Sequence, residues 1–282
     1  MSHGSDPRTP DPGWIGPGLL LVLITALISG VSTFVNLYAV SGTNSDAFVT
    51  ARNAAVALML VPIAFATTFA GPRPALRGKD WARLVAIGVV GGGIPFLLFF
   101  RGLELATTAS GGVTASFVYR TLFLMATALG VVFLKERFHW RVAAAAALLL
   151  GGNLLLLSLT TPIWTAGSAY VFAATAMWAV EYTVSKRVLS DLPSGTVALG
   201  RMGFGAVFLF GYLAATAQVA DLARLSGAQW GWVGISAILL TGFVVSWYAG
   251  LKRVGVGVAT SVLVLGFPVT WVLSVAVRGS AI

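Results

Sequence analysis

Two charged side chains lie well inside apolar runs, Glu181 within 164–186 and Arg120 within 107–134. A charge at the centre of a bilayer costs on the order of 3 kcal/mol or more, so each must face a partner or water. Three uses are open. The two form a fixed ion pair with each other, one or both contact a charged solute, or Glu181 titrates as a proton carrier, which makes protons a partner. Glu181 belongs to a stripe, Trp178, Glu181, Tyr182 and Ser185, spaced i, i+3, i+4, i+7 and therefore on one helix face. Ser29, Ser32, Thr33 and Asn36 repeat that spacing 149 residues earlier. Polar stripes at matching positions meet near mid-membrane, where two-repeat transport folds hold solute. Ordinary helix adhesion by Ser, Thr and Asn stays open for the first stripe. A Trp, a carboxylate and a Tyr suit a wet pocket better.

Other chemistry is sparse. Arg52 and Arg201 occupy equivalent positions early in their runs, and the simplest expectation is that they snorkel to opposite faces or bind helix carbonyls. Aromatic residues gather on the segments beside the two stripes, among them Phe99, Phe100, Phe117, Tyr119, Trp247, Tyr248, Phe267 and Trp271. Most should pack, and a subset lining a pocket suits a ring-bearing solute. There is no His-Glu-x-x-His, Gly-x-Ser-x-Gly or Walker A pattern, and Gly91-Gly92-Gly93 sits inside an apolar run instead of after a strand. No catalytic residue, cofactor or metal site is arguable, so the chain reads as a non-enzyme.

The elements that must position these residues are membrane helices. The chain is 57% hydrophobic and 10% charged, with mean hydropathy +0.90, against about 25% charged in soluble domains. Its net charge of +9 is spread in short clusters between apolar runs, which is a positive-inside pattern and excludes a nucleic-acid face. No cysteine is present. After a polar tail, 1–13, runs of bilayer length fall near 14–39, 47–70, 82–102, 107–134, 141–159, 164–186, 194–219, 229–250 and 256–278. The expected fold is all-α and membrane-integral. Twelve of the 18 basic residues, including Arg77, Lys135, Lys186 and Lys252, fall in loops on one side, which predicts a cytoplasmic N-terminus.

The runs repeat. Phe99-Phe100-Arg101-Gly102-Leu103 returns 148 residues later as Trp247-Tyr248-Ala249-Gly250-Leu251, the small residues of 107–115 fall on 255–263, Tyr119-Arg120 on Phe267-Pro268 and Phe123 on Trp271. Five runs per repeat, an odd number, makes the halves opposite in orientation: 14–159 with five spans and 160–282 with four. A tenth span is expected and the sequence ends at the counterpart of Leu134. Pro62, Pro95 and Pro268 fall inside runs and each frees a carbonyl, predicting kinks.

Together with Phe-Pro-Val at 267–269 and Lys-Glu-Arg at 135–137, these features resemble the drug/metabolite transporter superfamily, EamA-type, across 14–282. Within it the chain is most similar to YddG-type aromatic amino-acid exporters. The resemblance implies ten helices in two inverted repeats, a central cavity, alternating access without ATP, and export across a bacterial inner membrane. It implies a small-molecule substrate, an aromatic amino acid. Trp178, Tyr182, Tyr119, Phe99, Trp247 and Trp271 would line the apolar part, Asn36 and Ser32 the polar wall, and Arg120 and Glu181 would meet carboxylate and ammonium. Arg120 departs from the pattern, standing where the superfamily commonly has proline. Export of drugs or nucleoside-like metabolites is the alternative, and a scaffold or membrane-embedded enzyme the remote one.

Overall fold

The computed structural model describes residues 16–40, 42–69, 76–105, 109–155 and 164–278, and the regular structure among these residues is helical throughout. The N-terminal tail, Arg73 and the last four residues lie outside them. We label the bilayer-scale helices α1 (Pro17–Ala39), α2 (Ser45–Phe69), α3 (Gly78–Leu105), α4 (109–134), α5 (Trp140–Leu155), α6 (Ala166–Val188), α7 (Ser194–Ala215), α8 (Gly227–Leu251) and α9 (256–278). A single short helix, Val219–Ala223, joins α7 to α8.

Local chemistry sets the ends. Pro17 opens α1, where its missing N–H is no loss. Thr165 and Ser168 cap the start of α6 reciprocally, as Ser226 and Gln229 do for α8. Seven of the described helical stretches are long and apolar enough to cross a bilayer. The two expected spans that do not qualify are α5, described over 16 residues, and α6, which has the length but is diluted by its polar stripe. Outward-facing Leu58, Val132, Leu148 and Val207 are exposed, as lipid-facing residues should be.

Packing follows the internal repeat. With α1 to α4 matched to α6 to α9, the pairs α1·α8 and α3·α6 are counterparts, while α2·α7 and α4·α9 each join a helix to its own counterpart. All four pairings are major contacts, so the repeats interlock across a pseudo-two-fold axis. Polar ties hold each end. On the face bearing the basic loops, the Glu136 carboxylate accepts from the Val256 and Gly257 amides, 2.8 and 3.3 Å, at the start of α9, where the helix dipole favours an anion. At the opposite face the Asn44 side chain donates to Gln218 and Asp221 at 2.8 and 2.9 Å.

Three helices are irregular. Pro62 is carried inside α2 without a break. In α3 the residues Gly88–Gly93 form a π-helical turn just before Pro95. The fourth helix breaks at Thr121, between Ala109–Arg120 and Leu122–Leu134, and α9 breaks between Val256–Leu263 and Gly266–Arg278. Around the π turn, α3 meets α7 backbone to backbone. A Cβ on Gly92 would lie 2.0 Å from the Arg201 carbonyl oxygen, and one on Gly205 would lie 2.5 Å from the Gly92 backbone.

Gly92→Ala should therefore strain the α3–α7 contact by about 1–3 kcal/mol and lower the melting temperature of detergent-purified protein by several degrees. Gly203→Ala, in open space on α7, should melt at or slightly above wild type. Equal melting of the two variants would contradict the close approach.

Candidate functional site

The break in α3 generates the site. Pro95 has no N–H to give the carbonyl four residues back, that of Gly91, and the π turn already disturbs the ladder there. The Gly91 carbonyl instead accepts from Trp178 Nε1 on α6 at 2.9 Å and from Arg201 Nη2 on α7 at 3.2 Å. The neighbouring Gly92 carbonyl accepts from Asn53 Nδ2 on α2 at 3.0 Å. Three helices are thus tied to one irregular turn.

Those ties bring charges together. Arg201 is 1% exposed and lies 3.6 Å from the Glu181 carboxylate. Glu181 also accepts from Tyr248 Oη at 2.6 Å and, at closer range, from Ser185 Oγ. Arg52 is likewise 1% exposed and gives Nε and Nη2 to Asn53 Oδ1, at 3.0 and 2.8 Å. Its guanidinium sits 4.6 Å from the Phe96 ring centre and 4.4 Å from that of Phe100, and Arg201 lies 5.7 Å from the same Phe96 ring. Cation–π contact of this kind returns part of the lost hydration.

Two earlier expectations change. Glu181 pairs with Arg201, not with Arg120, because α6 packs against the α3 turn that also receives Arg201. Arg120 instead donates Nη1 to Ser29 Oγ at 3.0 Å and to the Leu263 carbonyl at 2.8 Å. The second contact has a clear origin. Pro268 cannot bond the Val264 carbonyl, so the Phe267 amide turns to it at 3.1 Å and leaves the Leu263 carbonyl for Arg120. Nor do Arg52 and Arg201 snorkel. Both lie buried beside one ring, although Arg201 does bind a helix carbonyl.

Between the repeats runs a narrow cleft of about 50 Å³, room for a few waters. The α1 stripe of Ser29, Ser32, Thr33 and Asn36 forms one wall, facing Trp178 and Tyr182 on α6. The stripe also bonds its neighbours, since Ser236 Oγ donates to Asn36 Oδ1 at 2.7 Å; adhesion and cleft lining coexist. Phe96, Phe99, Tyr119 and Trp178 form a continuous ring cluster, with Trp178 within 5.2–5.5 Å of the other three. Of the remaining expected residues, Trp247 is fully buried behind Tyr182, 4.4 Å between ring centres. Trp271 packs on the core away from the cleft, and Glu181 and Arg120 sit just behind its wall. Sequence reasoning missed Arg52, Arg201, Phe96 and Phe243 as lining residues. The signal for the first two was their equivalence across the repeat.

Interlocked membrane helices around a polar and aromatic mid-height cleft define the architecture of a solute transporter. The chain belongs to the EamA-like transporter family, whose model matches residues 16–158 and 165–282. It is therefore a multi-pass membrane protein of the drug/metabolite transporter superfamily. A solved crystal structure is similar over 94% of this chain and 89% of its own, with a TM-score of 0.67 and 19% identity, a likeness of fold. No curated protein matches the chain.

Glu181→Gln should destabilise the protein by about 3–5 kcal/mol, because it strands a buried guanidinium. Arg201→Gln should do the same, and the double variant should be less damaged than the two losses summed, with a coupling of about 0.5–3 kcal/mol. Glu181→Gln combined with Arg120→Gln should be close to additive. Thermal melting in detergent reads these four variants together with Arg120→Gln alone and wild type, and stronger coupling to Arg120 would overturn the assignment.

Proposed function

We propose that this protein exports amino acids, aromatic ones and their analogues foremost, across the bacterial inner membrane by alternating access of two inverted repeats, 14–159 and 160–282. The observation that carries the reading is the mid-height cleft, whose walls combine Phe96, Phe99, Tyr119, Trp178 and Tyr182 with a polar α1 stripe and buried arginines. Ring faces suit a flat side chain, and the polar wall and cations suit the head group of an amino acid. The basic-loop face is the cytoplasmic one in this reading, which sets the N-terminus inside.

At about 50 Å³ the cleft has room for a few waters and not for an aromatic amino acid, so solute enters only when helices on either side of it part. Rocking of α1 and α8 against α3 and α6 opens it without dismantling either pair, since each pair joins elements of both repeats. Glu181 serves as the fixed counter-charge of Arg201 in this scheme. Family membership supports transport and leaves the solute to the cleft.

Counterflow of labelled tryptophan into liposomes bearing the protein tests the proposal. Uptake should exceed that of empty liposomes and be suppressed by phenylalanine and tyrosine, with nucleosides and sugars inert. Suppression by nucleosides or cationic drugs instead would assign the cleft to the metabolite or drug class. Trp178→Ala should cut tryptophan uptake at least about tenfold, the order expected for loss of one stacking wall together with its bond to Gly91.

A further inference from the structure

The charges around the cleft do not balance. Among the described residues, Arg52, Arg120, Arg201 and Glu181 are the buried charged side chains in the middle of the helices: three cations and one anion. Glu181 is committed to Arg201, Tyr248 and Ser185. Arg52 has Asn53 as its hydrogen-bond acceptor and two aromatic rings beside it, but no carboxylate among the described residues. The hydrogen-bond inventory leans the same way. Arg201 Nε and Nη1, Arg120 Nε and Nη2, and Trp247 Nε1 are buried donors with no acceptor among the described residues, against a single unsatisfied carboxylate oxygen, Glu181 Oε2. Native interiors seldom leave such donors unmet. A buried cation without a counter-ion is dearer still.

We infer that Arg52, with Arg201 beside it, forms an anion subsite in the cleft and that the solute's carboxylate supplies the missing charge. Both arginines line the cleft, and both flank the Phe96 ring, so one carboxylate lodged at that ring lies within reach of the pair. A guanidinium presents parallel donors suited to a carboxylate. The proposal deepens the amino-acid reading and rests on it. It also moves the carboxylate contact from Arg120, which does not line the cleft and whose Nη1 is held by Ser29 and the α9 break, to Arg52.

The subsite has a consequence for selectivity. Among the described residues no acidic side chain lines the cleft, so none of them there offers an ammonium group a charge of its own. The amino group of the solute meets ring faces and the neutral hydroxyl and amide groups of the α1 stripe. The carboxylate is required and the amine is dispensable.

The test is competition for tryptophan counterflow in liposomes bearing the full chain, using indole-3-propionate, which keeps the carboxylate and lacks the amine, and tryptamine, which does the reverse. Indole-3-propionate should compete within about threefold of unlabelled tryptophan, and tryptamine should be weaker by about 30-fold or more, as the loss of a charge-assisted bidentate contact implies. Arg52→Gln should abolish that difference, and Arg52→Lys should retain part of it. Tryptamine matching indole-3-propionate, or Arg52→Gln discriminating as wild type does, would overturn the subsite. Should the protein move no tryptophan, the amino-acid reading fails by itself. Thermal stabilisation of purified wild-type protein by the two probes then decides the subsite, which predicts a rise in melting temperature with indole-3-propionate and none with tryptamine. Equal responses to the two refute it. That comparison needs no variant to fold.

Discussion

The carbonyl of Gly91 is the atom on which the centre of this protein turns. It is exposed by Pro95 in an apolar medium, where an unmet carbonyl costs several kcal/mol and no water is at hand to bond it. The indole of Trp178 and the guanidinium of Arg201 meet it from two other helices. That requirement fixes the aromatic wall of the cleft, because Trp178 holds its place through this bond. It also fixes the ion pair, because Arg201 arrives beside Glu181. Even the choice of residue is constrained, since a Cβ at position 91 would lie 2.4 Å from Glu181 Cγ.

The second break is solved in the same way and in the reverse sense. Pro268 disturbs α9, and the released carbonyl of Leu263 is met by Arg120 from the first repeat. Pro95 disturbs α3, and the released carbonyl is met by Arg201 from the second. Each repeat carries a proline-weakened helix, and each lends an arginine to the other. Since Arg120 and Pro268 are themselves counterparts in the repeat, one inherited position has become the breaker in one copy and the cap in the other. The exchange ties the halves at mid-height, while Glu136 and Asn44 tie them at the two faces.

Most of the fold was legible because a bilayer leaves few options. Run length, the repeated aromatic pair with its Gly-Leu, and the placement of basic loops led to helices in a paired arrangement. The stripe spacing put Trp178 and Tyr182 on the cleft side of α6 and Ser29 to Asn36 opposite. Pairing was not legible. Which arginine meets Glu181 depends on how α6 and α7 seat on α3, and that seating depends on a π turn whose signature, three glycines before a proline, resembles any flexible stretch. Burial of Arg52 was hidden for a similar reason: its partners are the face of Phe96 and the face of Phe100, and ring-over-cation contacts have no spacing rule across helices. The sixth helix shows the converse limit, because the residues that equip it for the cleft are those that lower its hydropathy.

At Gly92 and Gly205 two main chains touch with no side chain interposed. Side-chain layers elsewhere in a helix bundle yield by changing rotamer, as springs do. Two backbones in contact have nothing left to compress. There α3 and α7 behave as a hard bearing: they are free to tilt about the point or slide along it, and unable to close on one another. For any motion that widens the cleft, that bearing is a fixed stop between α3 and α7: the two helices can part from it and cannot pass through it.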